Sequence, residues 1–283
     1  MTTAFVLSGG SSLGAVQVGM ADALYAEGIR PDMVVGTSVG AVNGAWLAGD
    51  RPVEGLVDLW SSLRSRDVFP LRPLVGLRGF LGRTSHFIPN HGLSRLIERN
   101  LTFDRLEDAP IPFSVIVTEV STGTEVRLGQ GPARESILAS AALPGVFPPV
   151  QIDGRTFFDG GIVDNTPISK AIAAGATEVW VLSTGYSCGL PAVPKGAIPM
   201  ALHGVALLVQ QRFITETSRR SYPVPVHIIP PPCPISVTPI DFGQSVDLIN
   251  RARQETTQWL AAGRPGTIPF RGHHHDTTPP GAG

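Results

Sequence analysis

The chain opens with the stretch TAFVLSGG at positions 3–10, a short apolar run that ends in small residues. This pattern predicts a buried strand followed by a turn. Leu13–Glu27 then carries apolar residues at helical spacing. A second short strand is predicted at Asp32–Gly36 and a small, apolar helix at Ser38–Ala48. Because strands alternate with helices, this order indicates a parallel sheet with helices on its faces.

The rest of the chain continues the alternation and adds two hairpins. Pro112–Val120 is a β-like run that turns into Thr124–Leu128, and Val150–Ile152 turns into Arg155–Phe158. Further elements are predicted as helices at Val53–Arg64, Leu93–Asn100, Pro132–Ala142, Pro167–Ala174, Ile198–Arg219 and Gly243–Ala262, and as strands at Glu178–Ser183 and Pro225–Ile229. We therefore expect an α/β fold of three layers, α/β/α, whose central sheet is mostly parallel and gains antiparallel strands from the hairpins.

The chain is predicted to form one domain, residues 1–262, followed by a disordered tail at 263–283. Segment 66–92 mixes Pro and Gly with apolar side chains and arginines. It is a candidate lid that contacts lipid or membrane, and the alternative is a loop that folds back onto the core. The longest apolar stretch, Ala197–Val209, is interrupted by His203, which favours a core helix over a membrane anchor.

Composition excludes several classes of protein. Hydrophobic residues make up 42% of the chain and charged residues 16%, which rules out a mainly disordered chain. The net charge is −1, whereas nucleic-acid binders carry a basic excess, so no nucleic-acid partner is expected. Cys188 and Cys233 form neither a disulfide framework nor a zinc motif. No secretory signal is visible, so we expect a cytoplasmic protein with possible peripheral contact to a membrane.

A serine motif lies between the second predicted strand and its helix. Gly36-Thr37-Ser38-Val39-Gly40 fits the pattern G-x-S-x-G. In this context a sharp turn lifts the serine hydroxyl out of the sheet, and the following helix directs its positive N-terminus at developing negative charge. The alternative is a Gly/Ser turn that only packs a helix against a strand.

A nucleophilic serine needs a base. His86 and His91 lie in the irregular segment and His203 in a predicted helix, so His227, on a predicted strand, is the only plausible triad histidine. For each of the four a structural or surface role is the simpler interpretation. The other candidate is Asp159 in Phe157-Phe158-Asp159-Gly160-Gly161, where an acid ends a strand and two glycines permit close backbone approach. That arrangement suits a buried general base, and its alternative is an ordinary turn aspartate.

A loop of small residues, Ser8–Gly14, joins the first strand to the first helix. Its backbone N–H groups could form an oxyanion hole or hold a phosphate. It is not a dinucleotide fingerprint, because Ser11 stands where the second spaced glycine belongs and the second strand lacks the ribose-binding acid. We therefore expect no cofactor. No metal is expected either, since His273–His275 lie in the predicted tail and build no shaped site.

Together these motifs resemble the patatin-like phospholipase family. The resemblance spans Ala4 to Ser183 and includes the stretch ASAALPGVFPP at 139–149 and the residues Asn165 and Pro167. It implies a Ser–Asp pair without a catalytic histidine, in which Ser38 is the nucleophile and Asp159 the base. It also implies the supporting positions, namely Gly9, Gly10 and the backbone of Ser11 as the oxyanion loop, and Gly36, Gly40, Gly160 and Gly161 as motif glycines.

The resemblance implies a serine acyl hydrolase that cleaves carboxylic esters of phospholipids, lysophospholipids or acylglycerols. Two alternatives stay open, a non-catalytic lipid- or acyl-binding protein and an acyltransferase. Many family members have a third glycine where this chain has Ser11, and often a basic residue where it has Leu13. The N–H donors survive the first change if the loop does not need positive φ. The second change removes a group that could bind a phosphate head group. The oligomeric state is left open.

Overall fold

The structure is a computed structural model that describes residues 1–70, 76, 81–185, 193–219 and 221–264. The strands are β1 Thr3–Leu7, β2 Met33–Thr37, β3 Phe113–Glu119, β4 Glu125–Leu128, β5 Val150–Ile152, β6 Arg155–Asp159, β7 Glu178–Leu182 and β8 Val226–Ile229. They form one sheet in the spatial order β5-β6-β3-β2-β1-β7-β8, with β4 also paired to β3.

Helices cover both faces of this sheet. They are α1 Gly14–Ala26, α2 Val39–Ala48, α3 Val53–Ser62, α4 Ser65–Val68, α5 His91–Asn100, α6 Ala133–Ser140, α7 Ile168–Ala173, α8 Ala197–Arg219 and α9 Ser245–Ala261. Alternate residues of β1 point to opposite faces. Phe5 and Leu7 join the larger core with α1, α2 and α9, whereas Ala4 and Val6 join a smaller core with α7 and Phe213 of α8. The predicted three-layer α/β fold is confirmed.

The sheet is parallel except where the predicted hairpins enter it. The strands β3, β2, β1, β7 and β8 run parallel to one another, and β4 and β6 pair with β3 in the antiparallel direction. Thr37 pairs with Ile116, while Asp159, the last residue of β6, pairs with Val117. The strand β6 therefore stops at the level where β2 gives way to α2, which brings Asp159 beside Ser38.

One local prediction is wrong, and another holds only in part. His91 is the first residue of α5 and does not lie in an irregular segment. The prediction of a core helix at Ala197–Val209 holds for only one side of α8. Met200 is 44% exposed and Leu208 is 73% exposed, so the other side faces solvent. Among the described residues, none of the helices combines the length and the hydropathy needed to cross a membrane.

The described part of segment 66–92 packs onto the loop that follows α6. The Phe69 ring stacks on Phe147 with centroids 5.4 Å apart. The N–H groups of Phe87 and Ile88 donate to the carbonyl oxygens of Gly145 and Val146 at 2.9 Å each. For the residues that make these contacts, the structure matches the alternative to a lid, namely a loop that folds back onto the core. Residues 71–75 and 77–80, and the predicted tail from 265 onward, lie outside the described residues.

Candidate active site

The turn Gly36–Gly40, here called the Ser38 turn, joins β2 to α2. Ser38 has φ 55° and ψ −123°, a backbone conformation that is strained for a residue with a side chain. A Cβ added to Gly36 would lie 2.6 Å from the carbonyl carbon of Gly40, and one added to Gly40 would collide with the carbonyl oxygen of Leu7. Both motif glycines are therefore needed because the turn packs against itself and against β1.

Ser140 fixes the backbone of this turn from the end of α6. The Ser38 N–H donates to Ser140 Oγ at 2.9 Å, and the Ser140 hydroxyl donates to the carbonyl oxygen of Ile116 at 2.7 Å. Ser140 is fully buried. It thus ties the Ser38 turn to β3. Sequence reasoning quoted Ser140 within a motif but gave it no role, because its partners are far away in sequence.

Asp159 lies beside Ser38, as the resemblance implied. The Ser38 hydroxyl donates to Asp159 Oδ2 at 2.6 Å, and the Gly161 N–H donates to Asp159 Oδ1 at 2.8 Å. The Asp159 N–H donates to the carbonyl oxygen of Ala142 at 3.0 Å. A Cβ added to Gly161 would lie 3.0 Å from Asp159 Oδ1, and one added to Gly160 would collide with the backbone of β3. The two glycines therefore allow the carboxylate to be enclosed.

Burial raises the pKa of Asp159 to about 6, and the hydrogen bonds from Ser38 and Gly161 hold it from rising further. Only 4% of the residue is exposed. A carboxylate with this pKa is mostly ionised at neutral pH, so it can accept a proton from the serine hydroxyl. It is also basic enough to be protonated transiently during a reaction.

The segment Ser8–Ser12, here called the β1 loop, lies against the Ser38 turn. The Gly9 N–H donates to the carbonyl oxygen of Asn165 at 3.3 Å, which leaves Gly10 and Ser11 as the N–H groups without a hydrogen-bond partner in the described parts of the chain. Ser11 has φ 53°, so this position does adopt the left-handed region that favours glycine. The loop therefore does adopt positive φ at this position, and Ser11 keeps its N–H donor on a strained backbone.

Asn165 and Thr184 hold the β1 loop in place. The Gly9 carbonyl oxygen accepts from Thr184 Oγ1 at 2.7 Å and from Asn165 Nδ2 at 3.4 Å. A Cβ added to Gly9 would lie 3.0 Å from the Cβ of Ser38 and would collide with Asn165 Oδ1. Gly9 is thus enclosed by Ser38 and Asn165. Sequence analysis singled out Asn165 but missed Thr184, which follows β7 and is brought here only by the sheet.

A buried chain of hydrogen bonds, here called the Trp60–Gln17 chain, runs behind the β1 loop. Trp60 Nε1 donates to Asn43 Oδ1 at 2.8 Å, and Asn43 Nδ2 donates to Gln17 Oε1 at 2.9 Å. Gln17 Nε2 in turn donates to the carbonyl oxygens of Ser8 at 2.7 Å and Leu182 at 3.0 Å. The three side chains are at most 3% exposed. These hydrogen bonds connect α3 to Ser8, the first residue of the β1 loop.

Ser38, Asp159 and the β1 loop form the polar end of a large pocket. The pocket encloses about 1720 Å³ of empty space, counting the part open to solvent. Its walls are apolar and include Trp46, Leu56, Trp60, Leu93, Ile97 and Phe147. Among the described residues that line it, Asp159 is the only one with an ionisable side chain. Such a pocket fits an uncharged, apolar group whose reactive end reaches Ser38.

No histidine is among the described residues that line this pocket. His227, the plausible triad histidine, lies on β8, where its Nε2 is 2.9 Å from Glu178 Oε1 and its ring centroid is 4.4 Å from that of Trp180. The described residues also contain no cluster of three side chains able to hold a metal ion. Within the described chain, the partner of the Ser38 hydroxyl is therefore Asp159.

Several known proteins are similar to this chain in sequence. Lysophospholipase NTE1 of Candida glabrata is 27% identical over 183 residues, which are 64% of this chain and 10% of that protein. An uncharacterized NTE family protein of Mycobacterium tuberculosis is 28% identical over 190 residues, 67% of this chain and 51% of that protein. This chain thus spans about a tenth of the first relative and about half of the second.

The fold is shared with a solved structure. The crystal structure of VipD from Legionella pneumophila matches with a TM-score of 0.50 and 13% identity, over 92% of this chain and 67% of that chain. At this identity the likeness concerns the fold alone. The family model for patatin-like phospholipase matches residues 5–172, more than half of the chain, and includes Ser38 and Asp159. This chain belongs to the patatin-like phospholipase family.

Proposed function

We propose that the chain is a serine acyl hydrolase that cleaves carboxylic ester bonds of lipids through an acyl-enzyme on Ser38. The observation that carries this proposal is the 2.6 Å hydrogen bond from the Ser38 hydroxyl to Asp159 at the polar end of an apolar pocket. A nucleophile within hydrogen-bond reach of a buried base is the arrangement that covalent catalysis requires.

In the first step Asp159 takes the hydroxyl proton while Ser38 Oγ forms a bond to the ester carbonyl carbon. The carbonyl oxygen becomes an oxyanion, and the unpartnered N–H groups of Gly10 and Ser11 supply hydrogen bonds to it. The loss of one such donor typically costs on the order of 10²–10³ in rate. When the intermediate collapses, the bond to the alcohol breaks, and the alcohol leaves with the proton held by Asp159.

In the second step water attacks the acyl-enzyme and gives a proton to Asp159. The acid is released, and Ser38 Oγ regains its hydrogen from Asp159. The same carboxylate acts as base and then as acid in each half-reaction. A pKa of about 6 suits this alternation, because the group is ionised before the attack and gives up its proton readily afterwards.

Two observations support a lipid as the substrate. The pocket walls are apolar over most of their area, as an acyl chain requires. The Candida glabrata relative carries the name lysophospholipase. By similarity we propose that this chain also acts on ester-linked acyl lipids. The acyl hydrolase domain is proposed to span residues 1–262, since α9 packs closely on α1, where a Cβ added to Gly19 would collide with the carbonyl oxygen of Ile249.

The proposal is tested by labelling the purified protein with a fluorophosphonate probe. Wild type and His227→Gln should be labelled, whereas Ser38→Ala and Asp159→Ala should not. A panel of p-nitrophenyl esters then measures turnover, and added glycerol as acceptor separates hydrolysis from acyl transfer. Labelling that persists in Asp159→Ala contradicts the Ser–Asp pair. A folded wild type that binds fatty acid but is neither labelled nor active is a lipid-binding protein instead.

A further inference from the structure

The first half of α8 presents an apolar surface to solvent. Met200, Leu207 and Leu208 are 44%, 39% and 73% exposed, and their positions i, i+7 and i+8 place them on one side of the helix. The opposite side is anchored to the protein by Gln210 and Phe213, which are both 6% exposed. Large apolar side chains that cluster on a surface in this way usually mark an interaction site.

Charge is absent from this stretch of sequence. Between Gly196 and Gln211 there is no Asp, Glu, Lys or Arg, and His203 is the one titratable residue. Lys195 and Arg212 bound the stretch at its two ends. On an ordinary solvent-facing helix, polar and charged residues occupy the outer face. The outer face of α8 becomes polar only at Gln211, one turn after Leu207.

The apolar surface continues into the pocket. Three residues that line the pocket are themselves exposed, namely Ile162 at 41%, Val205 at 37% and Ile240 at 38%. They come from three different segments, and Val205 belongs to α8. On α8, apolar side chains therefore continue from the pocket lining at Val205 to the outer side of the helix at Leu208, three residues later.

We propose that Met200, Leu207 and Leu208, together with the rim residues Ile162, Val205 and Ile240, form a docking surface for an uncharged lipid surface. This α8 surface lets an acyl chain pass from the lipid phase into the pocket without crossing water. The choice of occupant follows from the rim. A second copy of the chain or another protein seated here would cover the pocket mouth, whereas a lipid surface also contains the substrate. Both the choice of a lipid surface as the occupant and the passage of the acyl chain rest on the proposed function.

Docking is measured by flotation of the Ser38→Ala protein with vesicles of pure phosphatidylcholine. The test variant carries Met200→Gln and Leu208→Gln in addition, and neither residue lines the pocket. The matched control carries Val246→Gln, since Val246 is 50% exposed on α9 and also lies outside the pocket lining. Because only the exposed fractions of these side chains, 44% for Met200 and 73% for Leu208, can be removed from water, the partition coefficient of the double variant should fall roughly tenfold or more in total. The control should bind like its parent.

Salt separates this docking from an electrostatic one. Binding that is unchanged between about 0.05 and 0.5 M NaCl supports the proposal, since apolar contacts are not screened. The proposal is overturned if salt abolishes binding, if the control loses as much as the test variant, or if wild type does not float. It is also overturned if wild type is a dimer that Leu208→Gln dissociates.

Activity distinguishes this proposal from the proposed function. With Ser38 restored, Met200→Gln/Leu208→Gln should hydrolyse dissolved p-nitrophenyl butyrate like wild type and lose activity only on esters embedded in vesicles. Equal loss on both substrates contradicts a docking role. Vesicle binding by a protein that hydrolyses neither substrate would refute the hydrolase and leave the docking surface standing.

Discussion

The Ser38 turn and the β1 loop each hold a serine at positive φ, 55° for Ser38 and 53° for Ser11, but their surroundings differ. Ser38 is bonded through its N–H to Ser140 and through its hydroxyl to Asp159. The side chain of Ser11 has no hydrogen-bond partner among the described residues, and it is half-buried at the pocket wall. The contacts around Ser38 hold the side chain itself, whereas those around the β1 loop hold the backbone.

The difference separates two uses of backbone strain. At Ser38 the strained conformation points a reactive hydroxyl at its base, so the proposed chemistry needs both the conformation and the side chain. At Ser11 the proposed chemistry needs only the N–H, and a glycine would supply it with less strain. The two turns should therefore respond oppositely to removal of the serine side chain.

The largest expected effect is on the Ser38 turn. Ser38→Ala and Asp159→Ala should each lower kcat for p-nitrophenyl butyrate by at least about 10³, because the pair acts as a unit. The double variant should be little worse than either single one. Initial rates of the three variants are compared with wild type at pH 8. Additive losses in the double variant would show that the two residues act separately.

A smaller loss of kcat is expected for Ser140→Ala, which removes the partner of the Ser38 N–H and one hydrogen bond to the Ile116 carbonyl oxygen. An unpaired buried group costs about 1–3 kcal/mol, and the turn that presents Ser38 should loosen. We expect kcat to fall about 10–100-fold with little change in KM, which corresponds to about 1.4–2.8 kcal/mol.

Ser136→Ala is the matched control for that variant. Ser136 is equally buried on α6 but donates to the carbonyl oxygen of Pro132, the residue just before this helix, at 2.7 Å. Chemical denaturation and steady-state kinetics are measured for both variants. Ser136→Ala should lose stability and keep its kcat. If the two variants had equal kcat, the role of Ser140 would be purely structural.

The pH dependence of kcat/KM should report the ionisation of Asp159. Its carboxylate must be ionised to act as base, so kcat/KM for a soluble ester should rise through an apparent pKa of about 6. At pH 5 the activity should be roughly tenfold below the plateau. A profile that stays flat from pH 5 to 8 would contradict Asp159 as the base.

The contribution of Asp159 to the stability of the fold should change with pH in the opposite direction to the activity. The folded pKa of Asp159, about 6, lies above its ordinary value of 3.8. The stability that this group contributes is therefore complete below about 3.8 and is lost as pH rises through about 6. Asp159→Asn removes the buried charge, so its Tm should exceed that of wild type at pH 8 by more than at pH 4.5. Thermal melts of both proteins at the two pH values test this sign.

The smallest expected effect is a gain in stability when Ser11 is replaced by glycine. Ser11→Gly relieves the left-handed backbone but gives the unfolded chain more freedom, so the net stabilisation should be no more than about 1 kcal/mol. The kcat should stay within about twofold of wild type, since the N–H donor is kept. Asp153→Gly is the control, because Asp153 has φ 48° in the β5–β6 turn, remote in sequence from both serine turns. A large loss of kcat in Ser11→Gly alone would show that the serine side chain takes part.

Local patterns were sufficient to predict the elements that carry the site. The strand–turn–helix around Ser38 and the hairpin that ends at Asp159 follow from alternation, glycine and turn residues within short stretches of sequence. The pairing of Ser38 with Asp159 came from the family resemblance, since no local pattern brings residues 38 and 159 together.

Features that depend on tertiary contacts could not be predicted. The positive φ of Ser11 depends on how the β1 loop is held between Asn165 and Thr184. The role of Ser140 depends on β3 and on the Ser38 turn, which are distant in sequence. The exposure of Met200 and Leu208 was missed because an apolar helix has the same composition whether it faces a core or solvent.

The Trp60–Gln17 chain gives the pocket wall a mechanical connection to the β1 loop. We expect a group that fills the pocket and presses on Trp60 to act through Asn43 and Gln17 on the carbonyl oxygen of Ser8. Ser8 is the first residue of the loop whose N–H groups are proposed to bind the oxyanion. This connection would link recognition of acyl-chain length to alignment of the reacting bond. A preference among acyl lengths should then appear in the rate of acyl-enzyme formation at saturating substrate, and not only in affinity.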